Sequence, residues 1–205
     1  MRWTGRADGD LRSAARRDSV DGRPWAWLHQ VHGALVHRVD RPGAVQGADG
    51  DALVTDTPGV VLAVFTADCA PVAFASPEGI VALAHAGWRG AEEGVIGATV
   101  AAMRDLGATD ITAALGPCIR PGCYEFGEDR LGPLVDRFGA AVRGEARTGR
   151  PALDLPALVR SAVEQADATL VLDAGACTAC DADAWFSHRA RHDLERQATL
   201  VSVDQ

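Results

Sequence analysis

Two apolar runs dominate the hydrophobic pattern of the chain. Val60–Thr66 and Ile80–Ala84 are short, carry β-branched residues and are bounded by Gly or Pro. Both are therefore predicted as buried strands, joined through the Ser76-Pro77-Glu78-Gly79 turn. Each delivers a reactive side chain: Cys69 within Thr66-Ala67-Asp68-Cys69-Ala70-Pro71, and His85 within Ala84-His85-Ala86-Gly87-Trp88-Arg89-Gly90. The two come close along a sheet only if the intervening Pro71–Ala75 run also bends back.

The flanks are less sharply patterned. Residues 1–24 are polar with weak periodicity and are expected to form a loosely held arm or one short strand, with little chemistry. Trp25–Val31 and Ala34–Val39 are strand-like on either side of Gln30-Val31-His32-Gly33, and Ala52–Thr55 starts a further strand. Downstream, Val95, Ile96, Val100, Met103 and Leu106 fall near helical spacing over Gly94–Leu106, with Gly107 placed as the stop. Arg130–Val142 and Pro156–Gln165 suit amphipathic helices, the second capped by Asp154 or opened by Pro156 near its first turn. Ile111–Leu115 and Thr169–Leu172 are predicted core strands, Ala198–Val203 an edge strand, and Cys177–Arg191 irregular. Strands outnumber helices, and helices arrive between strands in the second half. The expected class is α/β (mixed α+β), one domain over residues 1–205 with mixed sheets flanked by helices.

Composition narrows the function classes. The 205 residues can bury a sizeable core, and no stretch is long and apolar enough to span a bilayer. A formal charge of −8 disfavours a nucleic-acid backbone as main partner. The basic clusters Arg12–Arg17 and Arg189–Arg196 both contain Asp or Glu and are expected to be solvated faces. The N-terminus lacks a signal-peptide pattern, so a cytoplasmic address and reduced thiols are expected. The glycine signatures of dinucleotide and ATP loops are absent.

His32, Cys69 and His85 are the candidate site. All three end apolar runs beside small residues, Gly33, Ala70, Ala86 and Gly87. Two chemistries fit the residue types. Two imidazoles and a thiolate bind zinc and leave a fourth position open; alternatively, Cys69 is a nucleophile activated by His85, with Asp68 or His32 orienting it. The residues alone leave both open, and each side chain also has an ordinary reading as core thiol or turn histidine. The remaining cysteines, Cys118-x4-Cys123 and Cys177-x2-Cys180, suit a structural tetrahedral site, with unligated thiols as the alternative.

Gln30-Val31-His32-Gly33, Thr66-Ala67-Asp68-Cys69-Ala70-Pro71, His85-Ala86-Gly87-Trp88-Arg89-Gly90, Leu115-Gly116-Pro117-Cys118-Ile119 with Cys123-Tyr124-Glu125-Phe126-Gly127, and Cys177-Thr178 with Phe186-Ser187-His188-Arg189 together resemble the successive motifs of the YfiH/LACC1 family. That family is described as purine nucleoside phosphorylases, formerly polyphenol oxidases or laccase-domain proteins. The resemblance runs in order from about residue 25 to the C-terminus. It implies a YfiH/CNF1-like fold and a Zn2+ ion on His32, Cys69 and His85, which tips the open choice toward metal. It implies phosphorolysis of adenosine, inosine, guanosine and methylthioadenosine and hydrolytic deamination of adenosine, with purine nucleosides and phosphate as partners. Arg89 and Arg189 are then candidate phosphate holders, and Trp88 a cover for the purine face. One departure stands out: Thr4-Gly5-Arg6-Ala7-Asp8-Gly9-Asp10 occupies the place of the family's Ser-Thr-Arg-x-Gly-Gly pattern, which implies altered specificity or a catalytically weak binding module. Blue-copper chemistry uses a weak axial Met, but only Met1 and Met103 exist. Six His are too few for a multicopper cluster beside other duties, so copper polyphenol oxidase turnover is not expected.

Overall fold

The structure, a computed structural model, describes residues 1–203; the last two of the 205 lie outside the described residues. In chain order the elements are β1 (Arg2–Trp3), α1 (Ala14–Val20), β2 (Trp25–His29), β3 (Val36–Arg38), β4 (Ala48–Asp49), β5 (Ala52–Thr55), β6 (Val61–Thr66), β7 (Ala70–Ala75), β8 (Val81–Ala86), α2 (Trp88–Glu93), α3 (Val95–Asp105), β9 (Thr112–Leu115), α4 (Glu128–Phe138), β10 (Arg143–Glu145), β11 (Pro151–Leu153), α5 (Leu155–Gln165), β12 (Thr169–Asp173), α6 (His188–Arg191) and β13 (Gln197–Ser202). They form a five-stranded sheet ordered β1-β13-β6-β2-β4, a six-stranded sheet ordered β12-β9-β7-β8-β5-β3, and the β10-β11 hairpin. Both large sheets mix parallel and antiparallel pairs, so the architecture is mixed α/β as expected.

Period-two alternation explains why the strands read as continuous apolar runs: both faces of the central strands are covered. In β6, Leu62 and Val64 point between the sheets, where they meet Leu53 and Leu83. Val61, Ala63 and Phe65 point outward to a third apolar cluster with Leu11 and Trp25. In β8, Val81 and Leu83 face the inter-sheet layer, while Ala82, Ala84 and Ala86 face the helices. Helix α3 covers that side with Val95, Ile96, Val100 and Met103, and α5, capped by Asp154 Oδ1 accepting from the Ala157 N–H at 2.9 Å, covers it with Leu158 and Val159. No helix of the described residues is long and apolar enough to cross a membrane.

Several expectations change. The two dominant runs are not partners: Val61–Thr66 lies in the five-stranded sheet, and Ala70–Ala75 is a strand of its own that pairs antiparallel with β8. The run between Cys69 and His85 therefore does double back, placing Pro71 opposite His85. The predicted Arg130–Val142 helix starts earlier and stops at Phe138, followed by a short 3-10 turn over Ala140–Val142. Trp88–Glu93 adds a helix that Gly94, at φ +94°, separates from α3. Two strands exchange roles. Thr169–Asp173 is an edge, with Val171 63% exposed, whereas Gln197–Ser202, expected at an edge, is buried between β1 and β6.

The N-terminal arm is also more firmly attached than its composition suggested. Arg2 and Trp3 pair with β13, Thr4 exchanges hydrogen bonds with both backbone groups of Ala198, Arg6 bonds Asp193 at 2.7 Å, and Leu11 is fully buried. Its polar pattern hides this, because the contacts are with the far end of the chain. Leu11→Ala should cost about 2–5 kcal/mol in denaturant unfolding. Leu194→Ala, at a 70% exposed position, should stay within about 0.5 kcal/mol.

Candidate metal centre and its cavity

His32, Cys69 and His85 converge, their ligand atoms all lying within 4.8 Å of one another. Cys69 Sγ is 3.8 Å from His32 Nε2, and the two imidazoles meet edge to face with centroids 4.8 Å apart. Three separate segments supply them. His85 continues the inter-sheet face of β8, Cys69 precedes β7, and His32 sits in the loop after β2. Gly87 makes the approach feasible: a Cβ there would stand 3.0 Å from both Cys69 Sγ and His32 Cδ2. The small residues noted in the sequence thus include one that makes room for the ligand side chains themselves.

Asp51, a residue the motif reading passed over, holds the centre. It is fully buried and accepts from the backbone N–H groups of Val31, His32 and Gly33 at 3.2, 3.0 and 2.7 Å. These bonds stabilise His32 at φ +61°, a conformation costly for a non-glycine residue. The same carboxylate bonds His85 Nδ1 at 2.8 Å, leaving Nε2 to face the centre, the arrangement that fixes a metal-binding imidazole. Burial pushes the Asp51 carboxyl up, yet His85 and the N–H groups of Gly33 and His32 hold it below the ordinary range. Burial likewise opposes ionisation of the pair beside it. The charge on Cys69, with Asp51, nonetheless raises His85 to about 9, while the charge on His85 and a hydrogen bond from His32 bring Cys69 down to about 6.

Asp68 performs the matching task on the other side. At φ +104°, its Oδ1 accepts from Thr178 Oγ1 and Ser187 Oγ, both at 2.7 Å. Its Oδ2 accepts from the Arg189 N–H at 2.7 Å. It therefore braces the Cys69 turn against the C-terminal motifs and orients no ligand ring. Gln30 pins the third side, exchanging two 2.8 Å bonds with the backbone of Phe65.

The centre opens into a cavity of about 500 Å³, within the size range of small-molecule sites. Its apolar wall includes Trp27 and Phe65, edge to face at 5.9 Å. Two atoms of its lining residues, Thr66 Oγ1 and Trp27 Nε1, are buried without a hydrogen-bond partner in the protein. Arg12, Arg17 and Arg196 also line it. Arg196 is held below its ordinary basicity by burial and by the nearby positive charge of Arg12, and its Nη1 donates to the carbonyls of Asp193, Leu194 and Glu195 at 3.0, 2.8 and 2.8 Å. The two basic clusters expected to be solvated faces thus meet, because Asp10 Oδ1 accepts both from the Arg196 N–H at 3.1 Å and from Arg12 Nε at 3.2 Å. A signal existed in the sequence only as two arginine clusters at opposite ends.

The other site expectations lie elsewhere. Trp88 packs edge to face on Phe126 at 5.4 Å, with the Arg89 guanidinium 4.9 Å from its ring centre. The Arg189 guanidinium bonds the Glu125 carbonyl at 3.0 Å and lies over Tyr124. None of the three lines the cavity.

A family model described as multi-copper polyphenol oxidoreductase laccase matches residues 9–204. The chain belongs to this family. Its curated relatives carry a different name. A purine nucleoside phosphorylase of Xylella fastidiosa is 41% identical over 186 residues, 86% of this chain and 71% of that protein. One of Streptomyces coelicolor is 39% identical over 195 residues, 93% of this chain and 80% of that protein. Among solved structures, a Neisseria meningitidis protein matches with TM-score 0.82 at 33% identity, covering 98% of this chain and 86% of that one. YlmD from Geobacillus stearothermophilus matches with TM-score 0.82 at 31% identity, covering 99% and 85%. The laccase description and the phosphorylase name ask different things of the donor set. Among the described residues only two groups of three or more ligating side chains form, and just one contains histidine.

Two outcomes follow from this geometry. Asp51→Asn should lower divalent-metal affinity by roughly 10–100-fold in chelator competition, since it removes the charge that orients His85. In metal-stripped protein, the depressed thiol keeps Cys69 ionised above about pH 6, so iodoacetamide labelling should hold at neutral pH and fall as pH drops through about 6. A profile centred near the ordinary thiol value of about 8.5 contradicts that environment.

Proposed function

We propose that the protein is a zinc-dependent purine nucleoside phosphorylase. The observation that carries the reading is a thiol and two imidazoles converging at the end of a cavity that also gathers three arginines. The phosphorylase names of the curated relatives point the same way. His32, Cys69 and His85 fit zinc in donor type and in the carboxylate behind His85. Bound there, zinc would supply Lewis acidity at one open position. Copper of the multinuclear kind fits poorly, because the remaining histidines do not cluster with further ligands among the described residues and Met103 is fully buried in α3.

The chain's own residues divide the remaining work. Trp27 and Phe65 offer aromatic surface to a purine. Arg12, Arg17 and Arg196 hold phosphate, whose oxygen bonds C1′ as the bond from C1′ to the purine nitrogen breaks. The departing purine takes up a proton, and His188 is the lining imidazole outside the metal set and free of the 2.7 Å tie that holds His29 to Asp49. Arg89, Arg189 and Trp88, candidates by motif, act in this reading as supports of the Tyr124–Phe126 loop.

A second reading has one observation in its favour: Asp51, His85 and Cys69 also stand in the order of a nucleophile triad. The second imidazole, His32, is surplus to a triad and needed by a metal. Zinc-loaded protein given adenosine and phosphate should yield adenine and ribose 1-phosphate, with turnover lost on chelation and restored by zinc. Arg196→Gln should raise the KM for phosphate about tenfold or more with a smaller change in kcat, as expected for a lost charged hydrogen bond. Inosine formed without phosphate would reveal deamination at the same centre. Neither product from the loaded protein would overturn the proposal, and chelator-insensitive turnover dependent on Cys69 would favour the triad.

A further inference from the structure

Away from the cavity, a second set of ligating side chains converges. The sulfur atoms of Cys123, Cys177 and Cys180 all lie within 4.8 Å of one another. The sequence spacing had suggested a set of four with Cys118, but Cys118 is fully buried in the helix-side core. Its role is backbone: it forms a parallel bridge with Cys177, which sets the C-terminal loop beside the 3-10 turn Pro121–Cys123. Cys180 then folds back, its N–H donating to the Cys177 carbonyl at 3.2 Å. Three thiols from segments more than fifty residues apart in the chain thus meet at one point, half-buried to exposed and open to an incoming ion.

Distances and charge both suit a cation. Cys123 Sγ and Cys180 Sγ stand 3.3 Å apart with all five cysteines free. That is well beyond a covalent bond of about 2.05 Å and close to the roughly 3.8 Å edge of a tetrahedron with metal–sulfur bonds near 2.3 Å. Arg147 aims its guanidinium at the group, Nη1 donating to Cys123 Sγ at 3.3 Å and Nη2 to Cys180 Sγ at 2.9 Å. It is held there by its own N–H on the Gly122 carbonyl at 3.0 Å. Donors placed on two sulfurs balance the negative charge that ligating thiolates carry.

We propose that Cys123, Cys177 and Cys180 form a second, structural site for a thiophilic divalent cation of the zinc class, with Arg147 as its outer charge partner and solvent in the fourth position. Binding releases the thiol protons and changes no oxidation state. The site fastens the loop that follows Cys177, in which Thr178 donates to Asp68 behind Cys69 and whose Thr178 and Ala179 carbonyls accept from Arg191. Its ligands are disjoint from those of the cavity centre, so each set can be removed by substitution without touching the other.

The test is metal content after loading with zinc and desalting. Two equivalents per chain are expected in the unmodified protein, one in Cys69→Ala and one in Cys123→Ser. In Cys69→Ala the remaining equivalent should protect Cys123, Cys177 and Cys180 from maleimide, a measurement that holds even if Cys123→Ser fails to fold. Cobalt loaded in place of zinc should keep an intense thiolate charge-transfer band in Cys69→Ala. One equivalent that disappears in Cys69→Ala would overturn the proposal. So would two equivalents retained in Cys123→Ser, or an intact mass lowered by two hydrogens through a Cys123–Cys180 disulfide.

Discussion

A buried carboxylate with no solvent contact must have its lone pairs filled by the protein, and Asp51 fills them with the geometry of the site. Three successive backbone N–H groups and one imidazole nitrogen meet it. The backbone donors bend residues 31–33 into a conformation that aims His32 at the centre, and the imidazole bond turns the free nitrogen of His85 toward the same point. Because Asp51 immediately precedes β5, which pairs with β8, the carboxylate belongs to the sheet that carries His85. Its main chain takes part as well, the Asp51 carbonyl accepting the His85 N–H at 2.8 Å. Ligand direction, ring orientation and charge thus depend on one residue.

Around this centre the chain closes on itself. Asp68 ties the Cys69 turn to Thr178, Ser187 and Arg189, while β1 and β13 join the two ends of the described chain in one sheet. Asp10 then brings the first arginine cluster to the last. The floor of the cavity is laid by the strand ends of the two large sheets, and its rim by the termini. Such a division sets a braced centre beneath a charged mouth: His85 sits on a strand, His32 and Cys69 sit in turns pinned by buried carboxylates, and the cations lie on segments held by polar ties.

The family's laccase description and the phosphorylase name of its curated relatives can be weighed on donor chemistry. Two imidazoles and one thiol form a mononuclear set, and three arginines line the cavity beside it. Electron transfer would have no use for three guanidiniums at the mouth, whereas a phosphate would.

Much was legible in the residues themselves. Apolar runs with β-branched residues forecast β5, β6 and β8; helical spacing forecast α3; Asp154 forecast the start of α5. The candidate ligands His32, Cys69 and His85 stood out because each follows an apolar run and sits beside small residues. These are properties of short windows, and short windows determine local backbone preference and side-chain chemistry. What the tertiary structure decided was everything that depends on closure. Val61–Thr66 and Ala70–Ala75 went to different sheets, Gln197–Ser202 became central, Asp51 rather than Asp68 took the orienting role, Arg12 and Arg196 replaced Arg89 and Arg189 at the cavity, and Cys118 left the thiol cluster. None of these could be read locally, because strand order and the partner of a buried charge are set by which distant surfaces pack together, and an isolated stretch of sequence carries no record of its neighbours in space.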